Sequence, residues 1–312
     1  MTTAWLFPGQ GTQQVGMGKQ LFDSSPAARH VWERADAALG FSLTTLCFEG
    51  PETELTLTAH AQPAIVTTSI AALAAMREAA PNLPAPSLAA GHSLGEYSAL
   101  VAAGALAFED AVRLVHLRGR AMQEAVPEGV GGMAAIMGGD SAAVTSLCHD
   151  AAQGEVVSPA NFNAPGQIVI SGHATAVARA VALAGERKLK AILLKVSAPF
   201  HCSLMAPAAR RMQAALAEVT PGPLAFPVLP NVEATPNLDP ARVSELLVRQ
   251  VDSPVLWEQT VLAMAEAGVT RGLEIGPGKV LAGLVKRIDK RVNVLSVGDA
   301  ESVAKVAEFL AG

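Results

Sequence analysis

In the stretch LAAGHSLGEYSAL, residues 88–100, a short apolar run meets a small-residue helical run across Gly91-His92-Ser93-Leu94-Gly95. A chain with strand, sharp turn and helix in that order has to place the strand in a sheet and lay the helix over it. That puts the fold among the α/β architectures, with Ser93 at the turn. The bare Gly-x-Ser-x-Gly pattern is weak alone: with 27 glycines in 312 residues, chance produces it about one time in ten. The context has to decide.

Elsewhere the chain alternates in the same way. TAWLF reads as a buried strand running into the glycine-rich PGQGTQQVGMG. Residues 25–39 read as a helix, opened by Ser25 and Pro26 and closed by Gly40, and a second helix is expected over 63–80, stopped by Pro81. From Gly131 to Val196 the rhythm changes to strand, helix, strand, strand, helix, strand, the order of a ferredoxin-like unit. Strands and helices then alternate again through AFPVLP, GLEIG and NVLSV. The expected architecture is a large α/β-hydrolase-like domain with a mostly parallel sheet, residues 1–128 and 198–312. A small ferredoxin-like (βαββαβ) subdomain, 129–197, is inserted into it.

Composition removes several function classes. A net charge of −5 with scattered basic residues leaves no footprint for nucleic acid. Mean hydropathy is +0.32, yet the longest uncharged run, Leu55 to Met76, carries His60, Gln62, Pro63 and five hydroxyl residues and would insert poorly. The N-terminus lacks the basic-then-apolar order of a signal peptide. Cys47, Cys148 and Cys202 are odd in number and far apart, so neither a disulfide framework nor a metal spacing is present. A soluble cytoplasmic protein is expected.

A serine hydroxyl needs a base within hydrogen-bond reach. Of seven histidines, His92 adjoins Ser93 but points elsewhere and reads as a structural or site-wall residue. His30 and His116 lie beside charges on helices and read as solvated; His60, His149 and His173 sit near helix ends. His201, in VSAPFHCSLM, remains as the candidate base, against the alternative of a loop histidine. In the helix beginning at Phe108, the residues Glu109, Arg113, His116, Arg120 and Glu124 form one polar stripe. Arg118 lies off it, in line with Ala111, Leu114, Val115, Met122 and Ala125. It either meets an anionic or hydrogen-bonding partner or packs its stem and lets its head reach water. Two nucleotide motifs fail: Gln14 stands where the third glycine of GxGxxG belongs, and Leu273 and Val280 break a P-loop around GPGK. A glycine-rich turn after the first strand can instead aim a backbone N–H at an oxyanion.

The sequence resembles the malonyl-CoA:acyl carrier protein transacylases of bacterial fatty-acid synthesis over nearly its whole length. The carriers are FPGQGTQ, AQPAI, GHSLGEYSAL, DAVRLVHLRGRAMQEAVPEG, NFNAPGQIVISG, PFHCSLM, LVRQVDSPVLW and EIGPGKVL. The resemblance implies Ser93 as a nucleophile carrying a malonyl ester, His201 as its base, and the Gln250 backbone carbonyl, with no acidic third member, orienting His201. It implies backbone N–H groups of Gln10 and Leu94 as the oxyanion hole and Arg118 as the partner of the malonyl carboxylate. Gln62, Met122, Asn161 and Asn163 match positions near the site. Phe200, where many bacterial relatives carry serine, matches malonyl-selective polyketide acyltransferases. A rationale for the missing acid is that a further buried carboxylate would repel malonyl. The implied partners are malonyl-CoA and acyl carrier protein, with no metal or redox cofactor, and a monomer is expected. The rival readings are a serine hydrolase or thioesterase, a polyketide-pathway acyltransferase, and a noncatalytic carrier-protein-binding module.

Overall fold

The computed structural model describes residues 2–311. In chain order its strands are β1 (Thr2–Phe7), β2 (Leu88–Gly91), β3 (Gly131–Met137), β4 (Val157–Ala164), β5 (Gln167–His173), β6 (Lys190–Leu193), β7 (Val228–Leu229), β8 (Val269–Ile275) and β9 (Asn293–Val297). They form a parallel sheet, β7-β2-β1-β8-β9, and an antiparallel one, β4-β5-β3-β6. β1 and β2 are apolar because helices cover both faces of a parallel sheet; Ala4–Phe7 and Leu88–Gly91 are all buried. Their register pairs Phe7 with Gly91, so both strands end together and the loop after β1 lies beside Ser93. His92 N–H confirms the contact by donating to the Phe7 carbonyl at 3.0 Å. The strand order reverses beside β1, and crevices at the carboxyl ends of such sheets hold ligands.

The second helix begins earlier than its sequence signals, at Thr58 rather than Pro63, and runs to Ala79. Pro63 should interrupt it, because its ring nitrogen cannot donate to the Ala59 carbonyl. His116 from the Phe108–Glu124 helix supplies the missing donor: its Nδ1 lies 2.8 Å from that oxygen. His116 is therefore a half-buried helix fastener and not the solvated residue its neighbours suggest. The two helices close on each other at Gly119, where a Cβ would sit 2.5 Å from the Thr58 carbonyl oxygen. That contact brings Arg118 level with Gln62.

The antiparallel sheet has the 4-1-3-2 order of a βαββαβ unit. Its helices, Ser141–Ala152 and Ala174–Glu186, cover one face, with Ile136, Leu147, Ile170 and Ala180 in the core between. Away from those two helices, Met133, Ala160 and Val169 pack against Phe200, and Met133, Val169 and Phe200 form a wall of the cleft. β6 ends at Leu193, three residues short of the expected strand, and Leu194–Val196 line the cleft instead. β4 is tied to the larger body at Val255, whose N–H and carbonyl bond to Ala160 and Phe162 at 2.9 Å each.

Candidate active site

Ser93 has φ +51°, a left-handed conformation that a serine adopts only when its surroundings hold it there. The flanking glycines serve a steric purpose. A Cβ on Gly91 would lie 1.9 Å from the Gly95 carbonyl, and one on Gly95 would lie 2.2 Å from the Phe7 carbonyl oxygen. Two distant side chains clamp the turn. Ser93 N–H donates to Asn231 Oδ1 at 2.7 Å, and Gln250 Nε2 donates to the Ser93 carbonyl at 3.0 Å. Asn231 Nδ2 also donates to the Gly91 carbonyl at 2.7 Å.

Ser93 Oγ lies 2.8 Å from His201 Nε2, and His201 Nδ1 lies 2.9 Å from the Gln250 carbonyl oxygen. A carbonyl can only accept, so Nδ1 carries the proton and Nε2 is free to take one from the serine. His201 is 3 % exposed and, like Ser93, has positive φ, +60°. Burial, and then the nearby Arg118 cation, push its pKa down to about 3. The imidazole is thus neutral at pH 7.

Arg118 is 1 % exposed and its head is fixed by acceptors. Nη1 donates to Gln62 Oε1 at 2.9 Å; Nη2 donates to Gln250 Oε1 at 2.9 Å and to Ser93 Oγ at 3.1 Å. Its Nε is buried without a partner among the described residues, and the guanidinium lies 5.9 Å from the Tyr97 ring centroid. Among the described residues no acid hydrogen-bonds to His201, but a carboxyl group stands one amide behind. Glu96 Oε2 accepts from Gln250 Nε2 at 2.7 Å, and burial raises its pKa to about 7.

The N–H groups of Gln10 and Leu94 find no protein acceptor among the described residues. Leu94 precedes the Gly95–Ala102 helix, whose N-terminal end favours negative charge, and Gln10 borders the cleft. The cleft has a volume of about 590 Å³ and reaches Ser93, His201 and Arg118. Gln62 Nε2 also contacts Met122 Sδ at 3.8 Å. His92 is turned away from the serine hydroxyl, with its Nε2 2.9 Å from Asn163 Oδ1. Asn161, on β4, and Phe200 complete the walls. All eleven residues singled out in the sequence thus border or support one cleft, whereas His30, His60, His149 and His173 lie outside it. GPGKV is closed to phosphate: Glu274 carboxylate oxygens already accept the Leu281 and Ala282 N–H groups at 2.9 Å. Among the described residues no cluster of three potential metal ligands occurs, and no helix is long and apolar enough to cross a membrane.

Sequence reasoning missed Glu96 and Asn231. Glu96 carried a signal, as the one charge in the apolar helix following Ser93. Asn231 carried none, since PNVEA reads as an ordinary turn.

A serine on a strand-to-helix turn, a neutral histidine at its hydroxyl, two free N–H groups and a buried arginine define a site for acyl transfer through an ester, specialised for an acyl group with a negative charge. The chain belongs to the acyl transferase domain family, whose model matches residues 4–307. It is 48 % identical to the malonyl CoA-acyl carrier protein transacylase of Bacillus subtilis over 309 residues, 98 % of this chain and 96 % of that one. It is 46 % identical to the Escherichia coli K12 protein of the same name, covering 98 % and 99 %. Among solved structures, an acyl carrier protein S-malonyltransferase from Vibrio cholerae superposes with TM-score 0.95 at 44 % identity, over 98 % of this chain and 100 % of that one. A malonyl-transacylase in complex with its type II polyketide acyl carrier protein gives 0.96 at 44 % identity, over 99 % of each chain.

Proposed function

We propose that this chain transfers a malonyl group from malonyl-CoA to the phosphopantetheine thiol of acyl carrier protein, in fatty-acid synthesis, through a malonyl ester on Ser93. The observation that carries the reading is the buried Arg118 guanidinium 3.1 Å from Ser93 Oγ. A planar two-pronged cation beside the nucleophile suits an acyl group ending in carboxylate. The shared names of the relatives support the donor and acceptor.

Ser93 Oγ forms a bond to the thioester carbon while its proton passes to His201 Nε2. Gln10 and Leu94 N–H groups hold the oxyanion. The C–S bond then breaks, and His201 returns the proton to the CoA sulfur. The carrier's thiol repeats the sequence in reverse, releasing Ser93 and leaving malonyl on the carrier. Each step moves a proton or an acyl group, so no electrons and no metal or redox cofactor are required. A malonyl carboxylate on Arg118 would offset the cation that depresses His201, making the histidine a stronger base when the correct acyl group is present. The cytoplasm is the proposed location, supported by three free, buried cysteines.

The test is to load the protein with malonyl-CoA and add holo acyl carrier protein, following both by intact mass. The reading expects malonyl on the carrier; release of free malonate with the carrier unmodified would make the protein a hydrolase instead.

A further inference from the structure

Ser93 and Arg118 are both held by groups that converge on one buried atom. Glu96 is 2 % exposed, and its Oε2 accepts two hydrogen bonds, from Asn231 N–H at 2.9 Å and Gln250 Nε2 at 2.7 Å. Asn231 in turn fixes Ser93 N–H and the Gly91 carbonyl, the two sides of the turn. Gln250 fixes the Ser93 carbonyl, Arg118 Nη2 and, through its own carbonyl, His201. The charged and titratable groups facing Glu96 are Arg118, across the Gln250 amide, and the neighbouring Tyr97. Among the described residues no cation bonds to Glu96 directly.

From this geometry we propose that Glu96 is a positioning residue: one oxygen of its carboxylate holds Asn231 and Gln250 in place, and through them the strained Ser93 turn and its alignment with His201. The inference rests on the reading of Ser93 as a nucleophile. Its requirement is reach rather than charge, because both bonds run from N–H donors to a single oxygen. A glutamine can place its amide oxygen there and accept both. An aspartate keeps the carboxyl group but is one methylene too short to meet both donors at once.

The test compares Glu96→Gln, Glu96→Asp and Glu96→Ala in single-turnover acylation of Ser93, read by intact mass. Malonyl-CoA and p-nitrophenyl acetate serve as donors, with thermal midpoints measured in parallel. A displaced nucleophile costs about 100-fold in rate. Glu96→Ala and Glu96→Asp are expected to lose about that much with both donors, while Glu96→Gln recovers to within about fivefold of the parent. Aspartate outperforming glutamine, or all three acylating at the parental rate, would overturn the proposal. If alanine fails to fold, the glutamine-to-aspartate order still decides. The activated acetate keeps the two readings separable: a parent labelled by it on Ser93 but inert to malonyl-CoA would sink the malonyl assignment and leave Glu96 testable.

Discussion

Ser93 Oγ sits between an acceptor, His201 Nε2 at 2.8 Å, and a donor, Arg118 Nη2 at 3.1 Å. The acceptor serves any acyl group; the donor distinguishes among them. Truncating one partner of a buried, hydrogen-bonded charge pair costs about 2–5 kcal/mol. Arg118→Ala should therefore lower kcat/KM for malonyl-CoA by at least about 30-fold and change acetyl-CoA acylation by less than about tenfold. Equal losses for both donors, in parallel single-turnover assays, would remove Arg118 from carboxylate recognition. Arg118 was legible because helical period alone places it on the apolar side of its helix. Reading Glu96 by the same rule would have found it too. His201 was reached only by elimination and resemblance, and Asn231 not at all. Their partners lie 108 and 138 residues away, and side-chain contacts at that separation leave no local pattern.

The strand–turn–helix element works because its glycines let three backbones touch. Gly95→Ala would drive a methyl group to 2.2 Å from the Phe7 carbonyl oxygen, an atom of the central strand with nowhere to move. A loss of about 3 kcal/mol or more is expected, read as a lowered denaturation midpoint; an unchanged midpoint would show that the turn is looser than described. The proline-bearing helix gives a second case. His116→Ala leaves the Ala59 carbonyl without its donor. It should cost about 1–3 kcal/mol of stability while Ser93 acylation by malonyl-CoA stays within about twofold of the parental rate. The element type was readable from the Thr58–Ala79 sequence, but its start was not. Pro63 looks like a helix start, and the side chain that takes the Ala59 carbonyl its ring leaves open comes from another helix.

At the scale of the whole molecule, two buried groups set opposing responses to pH. The unfolded chain protonates His201 near 6.5, whereas the native state resists until about 3, so this group makes stability rise with pH between those values. Glu96 does the reverse: the native state keeps its proton to about 7 and the unfolded chain releases it near 4.5, so stability falls with pH across that interval. From about 4.5 to 6.5 the two oppose each other. Glu96→Gln should expose the histidine's contribution, steepening the rise in unfolding free energy toward about 1.4 kcal/mol per pH unit more than the parent shows. Chemical denaturation across that interval measures it, and parallel curves for parent and variant would contradict the assignment. The alternation of strands and helices made the two sheets legible in outline, including the βαββαβ order. What no local pattern carried was the common ending of β1 and β2, or the turning of Met133 and Val169 toward the cleft; both depend on pairings made across the whole chain.

The central claim is that Ser93 is a covalent relay for malonyl. Intact-mass measurement of the protein mixed with malonyl-CoA, beside Ser93→Ala, tests it most directly. A single malonyl adduct on the parent and none on the variant is the predicted result; a variant labelled as fully as the parent would contradict it.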